Sequence, residues 1–173
     1  TGTANVSANN CSVSNVDFGI YFGCDGSLNL KNSSFTECAT GVKISHKGTG
    51  TRTDVIENCT FTDCGIKDGK LAGDSAAIKY KSTNGATLTL TNNTITGTLT
   101  KDTFGDIRLN NVTATITPNG TTTTVNTGIK DTPETITGKV TVDDKGTITH
   151  VQEEGPTTIV IISPTQDTPK TDD

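Results

Sequence analysis

A chain of 173 residues with 30% apolar and 4% aromatic content, and neither Met nor Trp, holds too few large hydrophobes for a broad globular core. Its formal charge of -5 argues against nucleic acid as the main partner, and no apolar stretch approaches the length needed to span a bilayer. A narrow core repeated along an axis remains possible, and the Thr, Val and Ile bias without any helical apolar period makes the chain all-β.

Taken from the N-terminus, one phrase recurs. It appears loosely as Asn10-Cys-Ser-Val13-Ser-Asn15, then as Asn32-Ser-Ser-Phe35-Thr-Glu-Cys38, Asn58-Cys-Thr-Phe61-Thr-Asp-Cys64 and Asn92-Asn-Thr-Ile95-Thr-Gly97. Self-similarity at a period of a few tens of residues is the mark of a solenoid. Alternating inward positions precede each asparagine: Val6 and Ala8, Leu28 and Leu30, Asp54 and Ile56, Leu88 and Leu90. Asp54 breaks the apolar pattern. A second alternating pair follows each phrase: Ile20 and Phe22, Val42 and Ile44, Ile78 and Tyr80, Ile107 and Leu109. Each copy thus reads as a strand, an Asn corner, a brief second strand, a Gly-containing bend and a third strand.

Equivalent strands can stack in parallel about 4.8 Å apart. Extra residues in the later copies fall near Gly65–Ser75 and Thr98–Gly105, where they emerge as loops on one side. Asparagine suits the corner because it tolerates left-handed backbone and bonds its neighbours, and stacked asparagines can form a side-chain ladder. The seven Asn-x-Ser/Thr sequons, at Asn5, Asn10, Asn32, Asn58, Asn92, Asn111 and Asn119, follow from a composition rich in Asn and Thr and carry no weight.

Beyond the fourth copy, Val112–Thr117, Thr122–Val125 and Thr135–Val142 still alternate, and Ile107-x-Leu109-x-Asn111 can also be read as opening a fifth rung. Asp143-Asp-Lys-Gly146 predicts a hairpin joining Lys139–Val142 to Thr147–Val151. Thr157–Ile162 reads as a further strand. The expected organisation is rungs over 1–112, continued rungs with a β cap or hairpin over 113–162, and a Pro/Thr-rich tail over 163–173. Position 1 is not Met and the first rung begins abruptly, so further β-structure is expected before it.

The pattern Leu28-x-Leu30-x-Asn32-x-x-Phe35-x-x-Cys38…Gly41-Val42-Lys43-Ile44 resembles the rung of right-handed parallel β-helix repeat proteins, over roughly residues 4–112. That pectin-lyase-like superfamily includes pectate lyases, polygalacturonases, surface adhesins and phage tailspikes. The resemblance implies a single-stranded right-handed parallel β-helix of about four to six rungs with a β-rich C-terminal cap. It is specific for architecture and poor for function.

Three constellations bear on chemistry. Cys38 and Cys64 share a repeat position, and parallel Cβ vectors at rung spacing favour buried thiols over a disulfide. Cys11 and Cys59 share another position with Ser33 between them. No Cys-x-x-Cys occurs, and neither His46 nor His150 aligns with a cysteine, which weakens metal and thiol-nucleophile readings. The second constellation is Tyr21, Lys43, Lys79 and Arg108, which lie between the inward residues of the third strands. Alternation turns all four outward, and stacking makes them a column of one aromatic and three cations. Like charges at rung spacing repel by roughly 1 kcal/mol in water. A polyanionic glycan would neutralise them, with Tyr21 as a stacking surface; ordinary solvated Lys and Arg are the competing reading. Third, relatives with enzymatic activity use clustered carboxylates or Ca²⁺ with a basic residue. Asp74, Asp102 and Asp106 lie in or beside the inserted loops, near Lys79 and Arg108, but no Asp-Asp or Gly-His-Gly signature occurs.

The expectation is a noncatalytic, extracellular, secreted or cell-surface adhesin-like module. Its partner would be a polysaccharide or a host or cell-surface glycan, bound at Tyr21, Lys43, Lys79 and Arg108, with no metal and no cofactor. A polysaccharide lyase or hydrolase and a structural stalk are the alternatives.

Overall fold

The computed structural model describes residues 2–48, 50, 52–67, 70–71, 76–96, 107–110, 112–117, 122–126, 128–129, 139–142, 151–154 and 158–161. Every regular element among them is a strand. The first rung is β1 (Thr3–Asn9), β2 (Ser12–Ser14) and β3 (Phe18–Phe22). The second is β4 (Asp25–Lys31), β5 (Ser34–Thr36) and β6 (Thr40–His46). The third comprises β7 (Thr53–Glu57) and β8 (Thr60–Thr62). A short antiparallel pair, β9 (Ile66–Lys67) and β10 (Lys70–Leu71), interrupts it before β11 (Ile78–Ser82). The fourth is β12 (Thr87–Thr91), β13 (Thr94–Thr96) and β14 (Ile107–Asn110).

Equivalent strands form three parallel sheets. One has the order β1-β4-β7-β12 and continues through β15 (Thr113–Thr117) and β20 (Thr158–Ile161). The short strands stack as β2-β5-β8-β13. The third sheet runs β3-β6-β11-β14 and then β19 (Val151–Glu154), with β17 (Gly128–Ile129) beyond it. Pairing follows the aligned repeat residue for residue: Val6 on Leu28, Leu30 on Ile56, Leu88 on Asp54, Phe35 on Phe61, and Val42 on Ile78. These inward side chains fill a narrow core in which Leu28, Leu30, Phe35, Ile56, Phe61, Leu88 and Leu90 are buried. Phe35 and Phe61 stack with ring centroids 5.1 Å apart. Gly41 lies against them, because a Cβ there would come within 2.6 Å of the Phe61 ring and 2.7 Å of the Ala77 carbonyl oxygen.

The Asn corner holds, but its bonding differs from expectation. Asn10, Asn32, Asn58 and Asn92 all have left-handed φ of 49–57°. No side-chain ladder joins these four; Asn32 donates instead to Asn9 Oδ1. Backbone carries the stack, with Asn10 N donating to Lys31 O, Asn32 N to Glu57 O and Asn58 N to Thr91 O. The ladder of small polar side chains sits one residue later, where the corner turns the chain inward. Ser33 Oγ accepts from Cys11 N, and Asn93 Oδ1 accepts from Cys59 N. A second left-handed corner follows β2, β5 and β8, at Asn15, Glu37 and Asp63.

The C-terminal expectations fare unevenly. Ile107–Asn110 closes the fourth rung and β15 opens the next. The turn and all but the last residue of the second strand of the predicted 139–151 hairpin, residues 143–150, lie outside the described residues. Of its flanks, β18 (Lys139–Val142) pairs antiparallel with β16 (Thr122–Asn126), and Val151 opens β19, which runs parallel to β14. The expected strand at Thr157–Ile162 is β20, parallel to β15. The tail over 163–173 lies outside the described residues.

Candidate functional site

The stacked third strands place Tyr21 on Lys43, Lys43 on Lys79, and Lys79 on Arg108, so the four residues form one column as their spacing implies. Their exposure is uneven. Tyr21 is 58% exposed, Lys43 and Lys79 are half-buried, and Arg108 is only 6% exposed. An outward strand position is therefore not an open one at Arg108, whose strand is followed by another, β19, with Gln152 as its register partner. The accessible part of the column is Tyr21, Lys43 and Lys79.

Sequence reasoning missed Phe18. Parity with Ile20 and Phe22 turns it inward, yet it is 45% exposed. The interior under this end of β3 is already taken: a Cβ on Gly19 would meet the Phe35 ring at 2.5 Å. Phe18 lies instead beside Tyr21, with centroids 5.8 Å apart at a 37° tilt. Lys43 Nζ sits 4.7 Å from the Phe18 centroid and 5.2 Å from that of Tyr21. Cation–π attraction of about 0.5–1 kcal/mol at an exposed site draws this ammonium to the rings and offsets part of the column's repulsion. The one available signal was a second aromatic three residues before Tyr21.

Behind the column lies the explanation of Asp54. Its carboxylate is fully buried and satisfied on every side. Leu28 N donates to Oδ1 at 2.7 Å, and Tyr80 Oη and His46 Nε2 meet Oδ2 at 2.6 and 2.8 Å. The β4–β7 ladder starts only at Asn29 and Val55, so Asp54 supplies the acceptor that Leu28 N needs. His46 Nδ1 faces the Cys24 carbonyl at 3.0 Å, an oxygen that can only accept, so Nδ1 carries a proton. Burial, reinforced by the bond to Asp54, pushes the Tyr80 phenol well above its ordinary value and keeps it a donor. The cluster is closed: every polar atom is spent on another, and no ligand reaches it.

Three of the five cysteines, Cys38, Cys59 and Cys64, belong to the core. No disulfide joins any of the five. Cys38 and Cys64 are buried, and their thiols donate to the carbonyls of Thr36 and Phe35. Burial pushes the Cys59 thiol up, away from the thiolate a nucleophile needs. Among the described residues no group of three or more His, Cys, Asp or Glu side chains is placed to hold a metal ion. Asp74, Asp102 and Asp106 lie outside the described residues. Among the described residues no helix is long and apolar enough to cross a membrane.

No curated protein and no solved structure is significantly similar to the chain. A family model described as a right handed beta helix region matches residues 1–133. That match covers well over half the sequence and agrees with the parallel stacking of all three sheets, so the chain belongs to the right-handed β-helix family.

Proposed function

We propose that the protein is a noncatalytic extracellular glycan-binding module of adhesin type, with an acidic polysaccharide lying along the third-strand face. The observation that supports this reading is the exposed Phe18–Tyr21 pair with the Lys43 ammonium over both rings, in register with Lys79. An aromatic surface stacks on the apolar face of a sugar ring. Ammonium groups one rung apart pair with carboxylates on successive residues of the chain. Such binding is multivalent, with each site weak and partly screened by salt.

Retention on an immobilised acidic glycan, such as polygalacturonate, tests the reading. The wild type is expected to bind and to elute with rising salt, while Lys43→Ala/Lys79→Ala and Tyr21→Ala elute early. Equal retention of all three proteins sinks the column. Unsaturated uronate absorbance, measured with and without Ca²⁺, and a reducing-sugar assay address the enzymatic alternative. Product in either assay overturns the noncatalytic reading. Blank binding across acidic and neutral glycans leaves the stalk reading in its place.

A further inference from the structure

A second polar surface lies on a different sheet. Along β1, β4 and β7 the inward residues are Val6, Leu28 and Asp54, so Asn5, Ser27 and Thr53 face outward. With Asp25 and Arg52 they line a cleft of about 460 Å³, within the range of about 300–1,000 Å³ typical of small-ligand sites. Arg52, which immediately precedes β7, is only 5% exposed, unusual for a cation. Its Nη2 donates to Asp25 Oδ1, which also accepts from Gly48 N at 3.1 Å. Gly48 packs directly on this pair, since a Cβ there would lie 2.1 Å from Asp25 Oδ2. Gly26, with φ +128°, brings the floor of the cleft close to the Ala4 backbone. The pair is thus held by structure on several sides.

Hydrogen-bonding capacity remains uncommitted around it. Arg52 Nη1 is buried without a hydrogen-bond partner, the costly state for a donor. Asn5 Oδ1 takes both Ser27 N and Ser27 Oγ, at 3.2 and 3.0 Å, which leaves the Asn5 amide NH₂ available. The Ser27 and Thr53 hydroxyls add acceptors. Charge decides the ligand class: Asp25 cancels Arg52, and among the described residues the cleft has no other charged side chain in its lining. A carboxylate entering it would meet Asp25 with no net cation to compensate.

We propose that this cleft binds one neutral, hydroxyl-rich sugar residue. Its oxygens accept from Arg52 Nη1 and the Asn5 amide, and its hydroxyls donate to the Asp25 carboxylate and Ser27 Oγ. The site is independent of the Tyr21–Lys43–Lys79 column, which lies on another sheet and favours acidic chains.

Saturation-transfer NMR tests it, using methyl glucoside, galactoside and mannoside beside their uronide counterparts, with amide shifts of Asn5, Ser27 and Thr53 followed during titration. At least one neutral glycoside is expected to bind, shift those amides, and bind more tightly than its uronide. Asn5→Ala, an exposed change that leaves the fold intact, weakens binding about tenfold through the lost hydrogen bond. Thr53→Phe fills the cleft with a residue that suits a strand and abolishes binding. Lys43→Ala/Lys79→Ala leaves it unchanged. The proposal is overturned if no neutral glycoside binds, if the uronides bind more tightly, if Asn5→Ala and Thr53→Phe bind as the wild type does, or if the Lys43/Lys79 variant loses the binding.

Discussion

Lys79 and Tyr80 are consecutive residues on β11, yet they belong to two different kinds of polar assembly. Tyr80 points inward to Asp54 and His46, in a knot where each group satisfies another and water is excluded. Lys79 points outward into a column with Lys43 and Tyr21, where side chains remain partly exposed. One step of strand parity separates the buried knot from the outer face. Arg108 shows that parity alone does not complete the division. It stands in the outer column by register but is buried like the inner knot.

The sharpest way to break the comparison is Asp54→Ala. It strips the shared acceptor from Leu28 N, His46 and Tyr80, and a loss of about 3–5 kcal/mol in urea unfolding is expected, as for breaking a buried ionic network. Glycan retention of the protein that remains folded should not change. A loss below about 1 kcal/mol would show that the knot is not a structural centre.

Arg108→Ala tests the intermediate case. Its burial predicts a loss of about 1–3 kcal/mol, against about 0.5 kcal/mol or less for Lys79→Ala. Equal, small losses would return Arg108 to the open column.

Tyr80→Phe removes one donor to Asp54 and keeps the ring, for a loss of about 1–2 kcal/mol. Its effect also depends on pH. The folded phenol is raised, so the folded protein keeps a proton that the unfolded chain surrenders near pH ~10. The stabilisation is therefore fully present below about pH 10 and falls above it by up to ~1.4 kcal/mol per pH unit. Urea midpoints from pH 9 to 11 should fall more steeply in the wild type than in Tyr80→Phe; parallel curves would contradict the raised phenol.

The smallest effect is a gain. Glu37 holds φ +53° at a corner that delimits inside from outside, a conformation Gly adopts without strain. Glu37→Gly should raise stability by about 0.5–1 kcal/mol in thermal melts, with glycan retention unaltered.

Much of the fold was legible because the repeat is a register, and register is a one-dimensional property. Aligning four asparagines was enough to pair Leu30 with Ile56 and Phe35 with Phe61. The same alignment set Lys43 beside Lys79, because a one-residue slip would have turned every apolar residue outward. The second corner escaped notice because Asn15, Glu37 and Asp63 share a backbone angle and no side-chain type. The pairing of β19 with β14, some forty residues earlier, was not legible because turn residues such as those of 143–146 report only on local structure.

By itself, the sequence determined the parallel coil, the inward and outward sets and the stacking of Tyr21, Lys43, Lys79 and Arg108, since periodicity and spacing state these directly. Only the tertiary structure decided what each position became. It turned Asp54 from an interruption into the centre of the core and buried Arg108. It also brought Phe18 out to Tyr21 and set Arg52 beside Asp25. Those outcomes depend on which atoms from other rungs already occupy the neighbouring space and which donors they leave unmet. No period along the chain records either.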